Sequence, residues 1–360
     1  MALQALHGLG ASPARLHALF DRIAPRLPLR CGLADSPQDS PQDPSPGNSP
    51  PALARPDEWP ARLGRIDAFE TLRQALTHIA TRDGLAATLA AALPLLMPGV
   101  AAVALHGLIR SAHGVAAGHD DELVSGLAYW AARHALLVPP GTAGPGPATR
   151  SLAAWLAGLQ ALPMPVGTLS NRIQQRMLAH AGVAGFATVA GALALDDGTL
   201  DALAQHAAGL YAASGNFTVL HLVTGCQAMR VLLPWLADGP AALRPFSIAA
   251  AAVLRASGLR QIEVAGPSRG QSANSTASPA DNPPNNPTGA PPATPLPWAE
   301  TVRRAIANDD EHVIKLVQAC RCHHAATGAA VFQAAASRAV QDSRPEPPSA
   351  KPPSKLPATP

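Results

Sequence analysis

An all-α fold is what this sequence predicts, and three observations predict it. Apolar residues make up 47% of the 360-residue chain while aromatics make up 4%. Much of the apolar share is alanine and leucine, which lose little on entering a helix. Apolar positions recur at helical spacing through most of the chain, whereas runs alternating apolar with polar residues, as a half-buried strand needs, are few.

The helical stretches follow in order. Leu3 to Ile23 carries apolar residues at helical spacing, with Ser12 and Pro13 as a helix-opening pair. Ile66 to Ile79 does the same after Trp59 and Pro60. The most apolar stretch, Leu85 to Leu108, contains Pro94 and Pro98 and reads as two buried helices rather than one membrane span. Helices are then predicted over Asp120 to Leu137, Leu169 to Ala181, Asp201 to Ala213, Phe217 to Leu236 and Ala241 to Ala256. Trp298 to Ala307 and Asp310 to Ala326 complete the series. Asp196 and Asp197, Asn216 and the Asn308-Asp309-Asp310 cluster supply opening caps, and Gly118 and Gly328 supply closing glycines.

Three segments break the pattern: 34–55, with its near-repeated Asp-Ser-Pro-Gln, 266–297, rich in Pro, Asn, Ser and Thr, and the tail 341–360. Their apolar content is too low to offset the entropy of ordering them, so they are expected to be mobile linkers and a disordered tail. Residues 1–340 are expected to form one helical domain around the two linkers.

Charge and cysteine content exclude several function classes. Lys+Arg number 27 against Asp+Glu 24, a net +3 without a basic cluster that interleaves aromatics, which argues against nucleic acid. Cys31, Cys226, Cys320 and Cys322 are too few and scattered for a disulfide scaffold. The first residues lack the basic and apolar regions of a signal peptide, so a cytoplasmic location without a membrane partner is expected. Oligomeric state is not legible. There is no G-x-S-x-G elbow and no H-E-x-x-H motif, which disfavours a hydrolase, and no dinucleotide fingerprint.

Six of the thirteen histidines (His7, His17, His78, His134, His180 and His206) stand singly on predicted helices and read as ordinary core or surface residues. Three places differ. His106, Arg110 and His113 are spaced i, i+4, i+7 and share a face of an apolar helix, so three buried polar groups need partners. Gly107 and Gly114 beside them imply close approach by another element. His221 is flanked by apolar residues on a core-like helix. His312 and Lys315 share a face of another apolar helix, where a lysine is unusual. A buried lysine tends to lose its proton, and a neutral amine can act as a base, form a Schiff base or add carbon dioxide to give an anionic carbamate, an oxygen ligand for metals. The bland alternatives are an interhelical hydrogen-bond network for the first place and a snorkelling lysine for the third. Cys320-Arg-Cys322-His323-His324 lacks a matching second pair for zinc and reads as a solvated helix end; His119 reads as a loop residue or cap. Inward-facing histidines on several helices make a plausible cage for iron, zinc, copper or nickel, among which sequence does not choose.

Four segments carry a resemblance. GLGASPARLHALF, ALHGLIRSAHGVAAGHDDELVSGLAYWA, GNFTVLHLVTGCQAMRVLLPWL and PWAETVRRAIANDDEHVIKLVQACR resemble, in that order, segments of the questin oxidase-like family. The resemblance implies an all-helical oxidoreductase that uses dioxygen on an aromatic polyketide of anthraquinone type, with ring cleavage or Baeyer-Villiger-type oxidation as the chemistry. It implies a non-haem Fe(II) centre, with NADPH as a reductant. The implied metal and catalytic residues are His106, His221, His312 and Lys315, the lysine carboxylated. His113 and Arg110 are implied as supporting residues that orient a ligand. Trp130, Tyr129, Phe186 and Phe217 are candidate walls for a flat substrate. The family pattern has a further histidine, in an Asn-His pair, ahead of the region matching Met1 to Leu6. Either the reading frame begins upstream or the site has one ligand fewer, and with it less metal affinity and activity. Two rival readings remain: a non-catalytic helical scaffold or binding protein whose buried histidines satisfy one another, and a metal-independent, nicotinamide-using monooxygenase.

Overall fold

The apolar spacing is realised as helices throughout a computed structural model that describes residues 1–26, 55–139, 149–167, 169–259 and 294–343. The expected linkers and tail lie almost wholly outside the described residues. Among those residues no strand forms, and the only sheet-like pairing is an isolated bridge between Arg150 and Leu193.

The N-terminal stretch divides into α1 (Ala2–Gly8) and α2 (Pro13–Ile23). Gly10 turns the chain at φ 91°, and the Ser12 hydroxyl caps α2 by accepting the Arg15 N–H. Next come α3 (Phe69–Asp83), α4 (Leu85–Leu96), α5 (His106–Ala117) and α6 (Asp120–Ala132). The 85–108 stretch is therefore one helix, a short 3-10 turn at Met97–Gly99 and a non-helical entry to α5. Then follow α7 (Leu152–Ala161), α8 (Ile173–Ala181), α9 (Phe186–Ala190) and α10 (Thr199–Ser214). The last group is α11 (Phe217–Leu232), α12 (Gly239–Ala256), α13 (Trp298–Ala307), α14 (Glu311–Thr327) and α15 (Val331–Asp342). Helices α7, α9 and α15 are additional to those read from the sequence, and α15 carries helical structure to Asp342, two residues past the expected boundary.

Helix α11 is the centre. It packs against α5, α10, α12 and α14 and buries residues on every face, including Val219, Leu222, Val223 and Met229. Phe217–Trp235 is long and apolar enough to cross a bilayer by length and composition, but 67% of that stretch is buried within the protein. Asn216 opens α11 by accepting the N–H groups of Thr218 and Val219. Helices α5 and α6 touch backbone to backbone, as the glycines predict: a Cβ at Gly107 would lie 2.6 Å from Trp130 Cγ, and one at Gly114 2.6 Å from Leu123 Cα. At the other side, Arg15 on α2 reaches the entry to α14, donating to the carbonyls of Ile306 and Asn308 at 2.6 Å each and pairing with Asp309 at 2.8 Å.

Candidate functional site

Helices α5, α11 and α14 each bring one of the three singled-out places to a common point. His106 is the first residue of α5, His221 lies one turn into α11, and His312 and Lys315 lie in the first turns of α14. The imidazole centres of His106 and His221 are 5.1 Å apart, and those of His221 and His312 are 6.1 Å apart. A cavity of about 10 Å³ is lined by His106, His221, His312 and Lys315 together with Ile109, Leu220 and Thr224. That volume holds about one water or one small ion.

The three rings are oriented alike. Nδ1 of His221 bonds the Phe217 carbonyl at 2.9 Å, one turn earlier on its own helix. Nδ1 of His106 bonds the Val103 carbonyl, and Nδ1 of His312 lies 3.2 Å from the Asp310 carboxylate. A carbonyl or carboxylate oxygen only accepts, so Nδ1 carries the proton in each ring, which leaves the Nε2 lone pair available. No hydrogen bond among the described residues engages Nε2 of these three histidines.

Electrostatics keep two of the rings neutral. Removal from water pushes His106 down to about 4, and the neighbouring charge of Lys315 adds to this. Burial lowers His221 well below its ordinary value, with His106 contributing next. Lys315 is buried, with 6% of its surface exposed, and its Nζ donates to Glu311 Oε2 at 3.1 Å. Burial opposes ionisation of Glu311, but Lys315 and His312 outweigh it and hold the carboxyl below its usual range. Glu311 was not singled out in the sequence; its signal is the i, i+4 Glu-to-Lys spacing.

The donor set can be tested against a metal. Imidazole bound through Nε2 at about 2.1 Å places its centre roughly 3.2 Å from the ion, so near-tetrahedral angles put two such centres roughly 5 Å apart. His106 and His221 meet that spacing, and His312 stands wider. Among the described residues no three His, Cys, Asp or Glu side chains form a group that could hold a metal ion as placed. Neutral imidazoles with free Nε2 suit a divalent transition ion, with His312 the member that must close in. An ammonium at Lys315 would repel such an ion; a neutral or carboxylated nitrogen would not.

The remaining sequence candidates are not among the residues that line the cavity. Arg110 makes a two-pronged pair with Glu122 at 2.9 and 3.2 Å, and His113 Nδ1 bonds the Gln4 side-chain oxygen. Of the candidate walls, Phe217 alone stands at the site: 40% exposed, it packs edge-on against His221 and His312 at 4.9 and 4.8 Å. Trp130 and Phe186 are fully buried, and Arg110 and Arg133 lie over the Tyr129 ring. His119 caps α6. The cysteine-histidine run is not a solvated end: Cys320 and His323 are completely buried, and the His323 ring stacks on Phe332 of α15 at 4.9 Å.

A family model described as questin oxidase-like matches residues 1–320 of the chain. No curated protein matches it.

Proposed function

The chain belongs to the questin oxidase-like family, and from that premise we propose that it is an oxygen-dependent oxidoreductase acting on an aromatic polyketide-like substrate at the point where α5, α11 and α14 meet. Family membership implies an oxidase. The observation that supports the finer reading is that three imidazoles from three helices and one buried lysine line a single small cavity.

In this reading His106, His221, His312 and Lys315 hold a ferrous ion. Bound there, iron would supply the electrons and Lewis acidity that reaction of a closed-shell aromatic with dioxygen requires. The Val103 and Phe217 carbonyls and the Asp310 carboxylate fix the three rings and raise their basicity. Lys315 would first give up its ammonium proton and then add its amine to carbon dioxide, forming a nitrogen–carbon bond and releasing a second proton, with Glu311, 3.1 Å away, placed to pass the two protons in turn to solvent. The anion so formed offsets the cation's charge in a site with little water. Ile109 and Leu220 keep the remaining walls apolar. The cavity admits one small molecule, so a ring-cleaving or Baeyer-Villiger-type oxidation needs the flat substrate to lie outside it against Phe217. NADPH is the proposed electron source, met transiently.

The small volume also favours a second reading, a non-catalytic helical scaffold in which the histidines are structural. Oxygen uptake separates the two. The oxidase reading expects Fe(II)-supplemented protein to consume oxygen with a hydroxylated anthraquinone and NADPH, and Lys315→Met to lose that uptake. Wild-type uptake no greater than that of Lys315→Met, across a panel of phenolic and quinone substrates, would favour the scaffold.

A further inference from the structure

The entry to α5 is strained. Val103, Ala104 and Leu105 have φ of 48°, 51° and 73°, and among the described residues they are the only non-glycines with positive φ. Left-handed backbone is unfavourable for an L-residue, and a β-branched valine there is an outlier. No glycine, asparagine or aspartate eases the turn, so other elements must hold it.

Two contacts do so. The Ala104 N–H donates to Gln174 Oε1 on α8 at 3.0 Å. Leu105, fully buried, presses on α11 at Gly225, where any Cβ would stand 2.6 Å from Leu105 Cδ1. What the turn delivers is one oxygen. His221 anchors its Nδ1 on the carbonyl four residues earlier in its own helix. His106 opens α5 and has no helical carbonyl behind it. The left-handed turn supplies the Val103 carbonyl instead, which accepts both the His106 N–H, at 3.1 Å, and ring Nδ1. Helix α8 fastens the facing helix as well, through Arg176 to Thr218 Oγ1 at 2.9 Å.

We propose that Gln174 is a positioning residue: by holding the left-handed turn 103–105 it locks the His106 ring as the Nδ1–H form with Nε2 turned to the His221 cavity. This rests on the reading of His106 as a site residue, but its test needs neither metal nor turnover. The readout is imidazole nitrogen NMR of the metal-free protein. Wild type is expected to show His106 as a single Nδ1–H tautomer and a protected Ala104 amide. Gln174→Ala should lose the locked Nδ1–H resonance of His106 while His221 keeps its own. Gln174→Glu, which retains an acceptor oxygen, should restore it, and Val103→Gly, which retains the carbonyl and relaxes the strain, should preserve it. A purely structural glutamine would lower the melting temperature in Gln174→Ala and leave the tautomer unchanged, which would overturn the proposal. Should that variant fail to fold, the wild type alone decides, since an Nε2–H tautomer at His106 or an unprotected Ala104 amide refutes it. A wild type that passes these tests yet neither binds iron nor consumes oxygen would end the oxidase reading and leave this one standing.

Discussion

Substituting Gly107 by alanine tests the packing on which His106 depends. The new Cβ would stand 2.6, 2.7 and 3.0 Å from Trp130 Cγ, Cβ and Cα. These atoms are the stiff root of the side chain and the backbone itself, so relief requires α5 and α6 to part by roughly 1 Å or the indole to turn. Overpacking of this kind costs about 1–3 kcal/mol. Turning the indole would also break its bond to the Gly99 carbonyl, at 3.2 Å, worth about 1 kcal/mol. Alanine returns about 1 kcal/mol of helix propensity. The net expectation is a loss of about 1–3 kcal/mol. Gly209→Ala on α10 is the control, because its Cβ would meet only Val331 Cγ2 at 3.7 Å, and it should gain up to about 1 kcal/mol. Urea unfolding followed by far-ultraviolet circular dichroism measures both. A Gly107→Ala midpoint at or above wild type, with an unchanged slope, would refute the close approach of α5 and α6.

Two further outcomes follow from other parts of the fold. Arg15→Ala removes one partner of the Ile306 and Asn308 carbonyls and of Asp309, and should cost about 1.5–3 kcal/mol; a urea midpoint within error of wild type would show that α2 does not brace the entry to α14. Burial pushes His323 down to about 4 from an ordinary 6.5, so the folded state stays neutral where the unfolded chain takes a proton. Its contribution to stability is complete above about 6.5 and is lost as the pH falls towards 4. His323→Gln should therefore lose less stability than wild type between those values, and parallel curves would contradict the assignment.

The sequence carried the long helices well, because their signals are local. Trp298 to Ala307 matches α13 in full, and Asn216 and Asp310 cap α11 and α14 as their side chains suggested. The members of the candidate site stood out as polar residues within apolar stretches, and His106, His221, His312 and Lys315 line the same cavity. What stayed hidden depends on distant partners. The turn at 103–105 is built from residues that disfavour it, so only Gln174 and Gly225, far along the chain, explain it. Cys320 and His323 read as a solvated end because α15 was not anticipated: α15 packs on α14, and its Phe332 stacks on the His323 ring. Arg110 and His113 share the expected face of α5, yet their hydrogen-bond partners are Glu122 and Gln4 rather than the other histidines.

Iron stoichiometry after anaerobic dialysis against Fe(II) is the most direct test of the central claim, that four side chains from three helices form one metal site. One tightly held iron per wild-type chain is predicted, with none in His221→Ala or Lys315→Ala at unchanged helical content. Wild-type protein that retains no iron, or either variant retaining a full equivalent, would contradict it.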